Sequence, residues 1–426
     1  MRTIHRGVWR PDDGAESPYR YLPVDVPPDT GELRVTLAYD STGGGLLDLG
    51  CFGPAGEFRG YSGGARDSFA IAETATTPGY LPGPLDAGTW HVMLGLHRVP
   101  HDGVEWTVTA DTARSVPVRN QTALRQPAPA TERNRQERGQ TTPPQAPAPW
   151  PRSRQARRVL PAPPGHTWLA GDLHAHTVHS DGSLTVTELA ALAAGAGLDF
   201  LAVTDHNTVT HHAELATAGD AAGIVLVPGQ EVTTGRGHAN AFGDIGWVDF
   251  RRPADDWVST VEGRGGLLSV NHPLGGDCAW LQPLRTRPPL AEVWHSGWWD
   301  RTWGAPLAWL LAWDAGTVPI GGSDFHTPDS VLRPGQPTTW VLCADRTVAG
   351  VLDGLRAGGT AISAAPDAPV LLRLGDTVIA LDADGALLVD FTGRRRPVRG
   401  PRAEFTAPAG PHWLEDHRAQ VLAICG

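Results

Sequence analysis

The sequence predicts an α/β protein, with a β/α barrel-like domain preceded by a β-sandwich and followed by a small β appendage. Three observations predict it. Short alternating apolar segments separated by Gly, Pro and Asp turns fill the first quarter of the chain. From Thr167 to about Ala365 the rhythm changes to strand, loop, helix, over about 200 residues, the size of one barrel. Polar clusters rich in His and Asp recur after successive apolar runs of that second region.

Taken in order, "ELRVTLAYD", "LLDLGCF" and "TWHVMLGLH" read as strands of a sandwich domain over residues 1–111, which holds no clustered active site. Residues 112–165, rich in Pro, Gln and Arg, read as a semi-extended linker or a strap over another domain. Within residues 166–365, "TWLAGDLHAHT" is a strand running into a loop, and "VTELAALAAGAG" has helical spacing with a Gly stop. "LDFLAVTDH" and "IVLVPGQE" are buried strands flanking the helical "HHAELATAGDAAG". "GGLLSVNHP", "AEVWHSG" and "VPIGGSDFH" continue the series. Residues 366–426 return to short β segments such as "PVLLRLGD" and "GALLVDFTG".

Composition narrows the function. The 426 residues are 41% hydrophobic, a globular proportion, and the net charge of -11 opposes a general nucleic-acid binder, which needs a basic surface. Every basic residue is arginine, so no lysine nucleophile or Schiff base exists. The four cysteines lie far apart, which argues against a disulfide framework or a thiolate zinc site. No apolar signal core opens the chain and no run of about 18 apolar residues follows, so the expected location is cytoplasmic, without a membrane partner.

The chemistry concentrates in "DLHAH", "TDH", "GQE", "NHP" and "SDFH", each directly after an apolar run. In a β/α barrel the C-terminal ends of the strands open onto one face. Those ends would deliver His174, His176, His206, Glu231, His272, Asp324 and His326 together, with Asp181 and His238 from the following loops. Alternate residues of an extended segment share a side, so the pair His174 and His176 can hold one ion, as can Asp324 and His326. Imidazole and carboxylate without thiolate suit Zn, Mn or Fe. Nine ligands exceed the needs of one ion, and three divalent ions would leave positions for water and substrate. A single His after a strand is usually an ordinary loop residue, but five such clusters in order are hard to explain structurally. His179, His211 and His212 lie just past strand ends and are expected to face solvent. Asp172 and Asp205, each beside a ligand, are expected to orient imidazoles.

The stretch "DLHAHTVHSDGSLTVTELAALAAGAGLDFLAVTDHNTV" resembles the polymerase-and-histidinol-phosphatase (PHP) superfamily of metallohydrolases, over about Gly171 to Ala365. Together with "EVTTGRGHANAFG" and "GGSDFH", the domain order resembles the CehA/McbA-type branch, which includes carbamate-ester hydrolases. The resemblance implies a distorted seven-stranded β/α barrel with a trinuclear centre. It implies that His174, His176, Glu231 and Asp324 hold the first metal. Glu231 would bridge to a second metal completed by His238 and His272, with Asn240 an alternative to His238. Asp181, His206 and His326 would hold the third.

Cations lower the pKa of bound water, so such a centre would supply hydroxide as a nucleophile at neutral pH. His272, His206 or Asp205 are the candidate catalytic groups that protonate a leaving group. Substrate contacts are expected from the Trp-rich segment after residue 274. There Trp298, Trp299 and Trp303 form an aromatic wall or simple packing, and Arg285, Arg287 and Arg301 are phosphate clamps or solvated surface. Trp309 and Trp313, four apart on a helix, are expected in the core. The leading expectation is a phosphoesterase acting on a small phosphorylated molecule. The alternatives are a carboxylic or carbamate ester hydrolase using the same centre, and a binding module whose metal domain is subsidiary. A nuclease is weaker because the chain is acidic. The oligomeric state is not legible.

Overall fold

The computed structural model describes residues 1–114, 158–295, 307, 309, 312–313, 316–328 and 333–426. The chain divides into two units, one of residues 1–143 with 178–183 and one of residues 144–177 with 184–426.

Among its described residues the first unit holds eight strands, β1 (Arg2–Trp9), β2 (Tyr19–Val26), β3 (Thr30–Tyr39), β4 (Leu46–Phe52), β5 (Phe58–Gly63), β6 (Ser68–Ala72), β7 (Gly88–Arg98) and β8 (Val104–Arg114). They form two four-stranded sheets, in the orders β1-β8-β3-β6 and β2-β7-β4-β5. Alternation makes the core: Leu33, Val35 and Leu37 of β3 are buried together with Val92 and Leu94 of β7, while the residues between them on β3 stay exposed. The β-rich reading began near Tyr19; β1, which pairs along its whole length with β8, lies ahead of it. Its exposed Ile4 and Val8 face out, so its alternation gives no apolar run to recognise.

The second unit alternates strands with helices. It contains β9 (Thr167–Asp172), β10 (Phe200–Val203), β11 (Val225–Thr234), β12 (Gly237–Phe242), β13 (Leu267–Val270), β14 (Leu290–His295), β15 (Val318–Gly322), β16 (Thr338–Cys343) and β17 (Thr360–Ser363). Helices Val186–Gly195, His212–Ala222, Ala254–Gly263 and Val348–Arg356 lie between them. The strands join side by side in the order β15-β14-β13-β12-β11-β10-β9-β16-β17. The pairs β9–β10, β10–β11, β13–β14 and β14–β15 are parallel, whereas β12 is antiparallel to both neighbours.

Period-two burial assigns the two faces of this sheet. Phe200 and Ala202 of β10 join Leu169, Val227, Leu267, Leu290, Ile320 and Val341 in one core. Leu201 and Val203 of the same strand point the other way, into a second core with Leu189, Ala193 and Leu215 of the helices. Burying each of these large side chains contributes about 1.5–3 kcal/mol. Gly171 of β9 faces Phe200 so closely that a Cβ there would overlap the ring. Helix Val186–Gly195 begins at a capping box: Thr185 Oγ1 accepts from the Glu188 N–H at 3.3 Å, and the Glu188 carboxylate accepts from the Thr185 N–H at 2.9 Å. Helix His212–Ala222 stops at Gly223, whose φ of 68° is left-handed.

The C-terminal strands β18 (Val370–Leu374), β19 (Thr377–Leu381), β20 (Leu387–Asp390), β21 (Arg395–Pro397), β22 (Arg402–Thr406), β23 (His412–Glu415) and β24 (Val421–Cys425) do not stand apart as an appendage. β24 pairs with β17, and β23, β20 and β21 extend the same sheet, while β18, β19 and β22 form a three-stranded sheet. The reason is apolar burial: Leu371, Ile379, Leu388 and Leu414 share a core with Trp168 and Trp340. Of the expected linker, residues 115–157 lie outside the described residues. Its last part is anchored, with Arg158 donating to the carbonyl oxygens of Pro366 and Ala368 at 3.2 and 2.7 Å. Among the described residues, no helix is long and apolar enough to cross a membrane.

Candidate metal centre

The motif residues of the second unit converge at the ends of β9, β10, β11, β13 and β15, together with β12. His174 and His176 follow β9, where their alternation puts both rings on one side, with centroids 5.2 Å apart. His206 follows β10 and bridges to Glu231 of β11. Register pairs Thr233 of β11 with His238, so His238 lies in β12 and not in a loop as expected. His272 follows β13, and Asp324 and His326 follow β15. The chain turns sharply where these groups are presented: Asn207, His272 and Asp324 have φ of 54°, 25° and 51°, a left-handed region non-glycine residues seldom adopt.

Glu231 is the hub. Its Oε1 lies 3.2 Å from His174 Nε2, 3.2 Å from His238 Nδ1 and 3.4 Å from His272 Nε2. Its Oε2 lies 2.7 Å from His206 Nδ1 and 3.5 Å from His176 Nε2. Asp324 Oδ1 lies 2.9 Å from His176 Nε2 and 3.3 Å from His174 Nε2. Among the described residues four sets of ligand atoms emerge, each close enough to share an ion: His174 with His176 and Glu231; Glu231 with His238 and His272; His176 with His206 and His326; and His174 with His272, Glu292 and His295. Asp181 sits on the segment Val178–Ser183, which groups with the first unit.

These residues fit divalent cations on a physical ground. His174 Nε2, both ring nitrogens of His176, Glu231 Oε2 and His272 Nδ1 are buried without a hydrogen-bond partner. Nitrogen and oxygen atoms that crowd within about 3 Å yet fail to align as donors and acceptors leave lone pairs converging on the space between them. Stranding that many buried polar atoms would cost about 1–3 kcal/mol each. The site is also strongly polarised. Burial opposes charge on Glu231 and Asp324, but the surrounding imidazoles, His174, His206 and His238 for Glu231, and His326 and His174 for Asp324, hold both carboxyls well below their ordinary range. Burial lowers His176 well below the usual imidazole value, with His326 and His206 adding to it, and burial brings His238 down to about 4. Both rings therefore remain neutral, the form that binds a metal. Burial also works against charge on His174, yet Glu231, Glu292 and Asp324 together raise it.

Neighbouring groups hold the ligands. His206 Nδ1 is 2.7 Å from Thr233 Oγ1. The Asn271 side chain donates to Glu231 Oε1 at 2.9 Å. Asn240, the alternative to His238, instead donates its amide to the Leu173 carbonyl at 3.1 Å and is buried. Two residues that sequence reasoning missed also enter the cluster. Glu292 lies 3.0 Å from His174 Nδ1, and His295 Nε2 lies 3.3 Å from Asp324 Oδ2.

Several expectations are corrected. His211 is fully buried, with Nε2 3.0 Å from the Val203 carbonyl and Nδ1 3.1 Å from Asp205, because the chain folds back over β10. His179 is buried too, and His212 is largely so, its Nε2 3.0 Å from the Gly229 carbonyl. Asp172 does not orient an imidazole. It accepts from the backbone N–H groups of His174, Ser323 and Gly335 at 3.1, 3.0 and 2.8 Å, clamping three segments, and burial raises its carboxyl to about 6. Asp205 accepts from the Thr177 N–H and hydroxyl at 2.8 and 2.7 Å, and its Oδ2 lies 3.1 Å from His211 Nδ1. Arg285 is 95% exposed in its side chain, with its backbone N–H held by Asp255 at 2.8 Å. Arg287 lies over the Trp313 ring, 4.7 Å from its centroid, and Trp309 stacks on Trp313 at 4.8 Å. Trp298, Trp299, Arg301 and Trp303 lie outside the described residues.

Residues 172–260 match the PHP domain. The PHP match takes in His174, His176, Asp181, His206, Glu231 and His238, and leaves His272, Asp324 and His326 beyond its end. A 69-residue stretch is 42% identical to the 5'-3' exoribonuclease of Haemophilus influenzae, which is 16% of this chain and 25% of that protein. The chain thus spans a quarter of the length of this curated relative. Among solved structures, a two-domain protein from Bacteroides vulgatus containing a predicted PHP-like metal-dependent phosphoesterase is 19% identical. That similarity covers 64% of this chain and 91% of that one, with a TM-score of 0.41. An amidohydrolase from Chromobacterium violaceum is also 19% identical, over 46% of this chain and 97% of that one, with a TM-score of 0.30.

Proposed function

We propose that the protein is a metal-dependent hydrolase, and specifically a phosphoesterase acting on a small phosphorylated molecule. The observation that carries this is the knot of buried imidazole and carboxylate atoms around Glu231, several of them without a hydrogen-bond partner, most of it within the region matching the PHP domain. In this reading three ions are held: one by His174, His176, Glu231 and Asp324, one by Glu231, His238 and His272, and one by Asp181, His206 and His326. Divalent cations there would supply Lewis acidity and acidify water for attack on phosphorus.

The chain's own residues do the rest. Thr233 and Asn271 fix His206 and Glu231. Asp205 is occupied by Thr177, which leaves His206 and His272 as the candidates to hand a proton to the leaving group. The reading includes a distorted seven-stranded barrel. Its support is that Thr339 Oγ1 donates to the Gly321 carbonyl and accepts from the Gly321 N–H, both at 2.8 Å, tying β15, at one edge of the row, to β16, which lies beyond β9 in it. It also includes a sandwich for residues 1–111 and the CehA/McbA-type branch, with its ester-hydrolase alternative.

A second reading, hydrolysis of nucleic-acid phosphodiesters, is favoured by the 69-residue likeness to an exoribonuclease and opposed by the net charge of -11. The test is elemental analysis of the purified protein, with turnover of p-nitrophenyl phosphate, p-nitrophenyl acetate and a short oligoribonucleotide after Mn or Zn loading. Bound metal with phosphate release supports the proposal. Acetate release alone selects the ester hydrolase, oligonucleotide cleavage alone the nuclease, and no metal after loading overturns the metal-dependent reading.

A further inference from the structure

We infer that Glu292 is a positioning residue that fixes two of the metal ligands at once, an inference that rests on the metal-dependent reading. Glu292 is 1% exposed and sits in β14, between β13 and β15. Its Oε1 is 3.0 Å from His174 Nδ1, across 118 residues of sequence. Its Oε2 accepts from the backbone N–H of His272 at 2.9 Å. One carboxylate therefore grips an imidazole on one side and a main chain on the other.

The first bond fixes one ring proton. A carboxylate only accepts, so the ring nitrogen facing it must carry the proton. With Nδ1–H held by Glu292, Nε2, which faces Glu231 and Asp324 at 3.2 and 3.3 Å, is the nitrogen left to give up its proton to a metal. The second bond holds a strained turn. His272 has φ of 25°, and the Glu292 oxygen anchors its N–H there. That turn sends His272 Nε2 towards Glu231.

The position of Glu292 in the strand is built for this. The β14–β15 register pairs Glu292 with Ile320 and then Trp294 with Gly321, so a bulge falls at Val293. Leu290 and Glu292 face inward by alternation. The bulge then resets the parity, sending Trp294 to an outer apolar cluster and His295 to the ligands. His174, His272, Glu292 and His295 also lie close enough to suggest a fourth ion. Both Glu292 oxygens already accept hydrogen bonds, however, which is the arrangement of a brace and not of a ligand.

The experiment compares Glu292→Gln with the wild-type full chain by metal titration, elemental analysis and NMR of ring protons. The amide keeps the volume, but it offers one acceptor and one donor. Either orientation loses a bond: the amide N–H₂ meets the His272 N–H, or it meets His174 Nδ1 and drives the proton to Nε2. The expected result is metal affinity weakened about 10–100-fold, with full stoichiometry recovered at high metal. Stoichiometry lowered by one ion at saturation would make Glu292 a ligand and overturn the inference, as would unchanged affinity.

The metal-free protein gives an independent readout. A ring N–H signal, assigned to His174 by its loss in His174→Ala, is expected in the wild type and shifted or broadened in Glu292→Gln. An unmoved signal overturns the inference. Coincident thermal melts of the two metal-free proteins show that the fold is kept. Should the wild type bind no metal, the metal reading fails, and the ring-proton signal alone decides whether Glu292 holds the His174 ring.

Discussion

Gly322 at the end of β15 lies so close to His174 that a Cβ added there would overlap the His174 Cβ and the Glu292 Oε1, with the His174 N–H 3.3 Å away. Backbone and buried carboxylate surround the position, so nothing flexible can yield. Gly322→Ala is therefore expected to displace His174 and to destabilise the fold by about 1–3 kcal/mol, the range for overpacking. Urea unfolding of the metal-free protein reads the stability, and elemental analysis reads the site. Gly322→Ala protein with wild-type stability and metal content would refute the close approach.

His176 carries the sharpest prediction for the site. Both its ring nitrogens are buried without a hydrogen-bond partner, and its ring stacks on His326 at 4.2 Å and His206 at 4.3 Å. It belongs to two of the four ligand sets among the described residues. His176→Ala is expected to lower metal content, and to lower turnover by more than the ~10–100-fold typical of losing a ligand's hydrogen-bond partner. An unchanged metal count would remove His176 from the ligand assignment.

These residues were legible because strand ends announce themselves. Each of "DLHAH", "TDH", "GQE", "NHP" and "SDFH" follows a short apolar run, and period two places His174 beside His176 without any long-range information. Glu292 and His295 were not legible for a specific reason. In "AEVWHSG" a single acid and a single His read as ordinary, and simple alternation from Glu292 would point Trp294 inward and His295 out. Only the bulge reverses that, and the bulge is a property of pairing with β15. His211 failed similarly: proximity to a strand end suggested solvent, but the partners that bury it, Val203 and Asp205, meet it only after the chain turns back. The pairing of β1 with β8, a contact between residues about a hundred positions apart, left no apolar signature.

Thr185 separates helix stability from site chemistry. It caps helix Val186–Gly195 through the reciprocal bonds with Glu188, and those bonds, first that from the Thr185 N–H, lower the Glu188 carboxyl. Thr185→Ala is expected to cost about 1 kcal/mol. A carboxyl depressed in the folded state contributes stability above its unfolded value and loses it as pH falls through the folded one. The difference between Thr185→Ala and wild type should therefore shrink in acid, below the ordinary glutamate range. Chemical denaturation at neutral pH and at pH near 3 measures it. A difference that grows in acid would contradict the capping box as the source of the shift. Metal content at neutral pH should not change.

The four cysteines give a test of the cores that is independent of any metal. Cys51, Cys343 and Cys425 are buried, and burial pushes each thiol above its ordinary value, up to about 12. Cys278 is only partly buried, its Sγ donating to the Gly275 carbonyl at 2.8 Å. Since the thiolate is the nucleophile, a thiol reagent at pH 8 should label Cys278 first in the native protein and all four in denaturant. The same shifts set an alkaline limit. Between about pH 9 and 12 the folded chain keeps protons that the unfolded chain has released, so the unfolding free energy falls with rising pH across that window and is unaffected below it. Replacing Cys51 by Ala removes one titrating group and should flatten that decline, at the cost of a small cavity in the apolar core of the first unit. Rapid native labelling of Cys51 or Cys425, or a stability curve flat from pH 8 to 12, would mean that those cores are open to water.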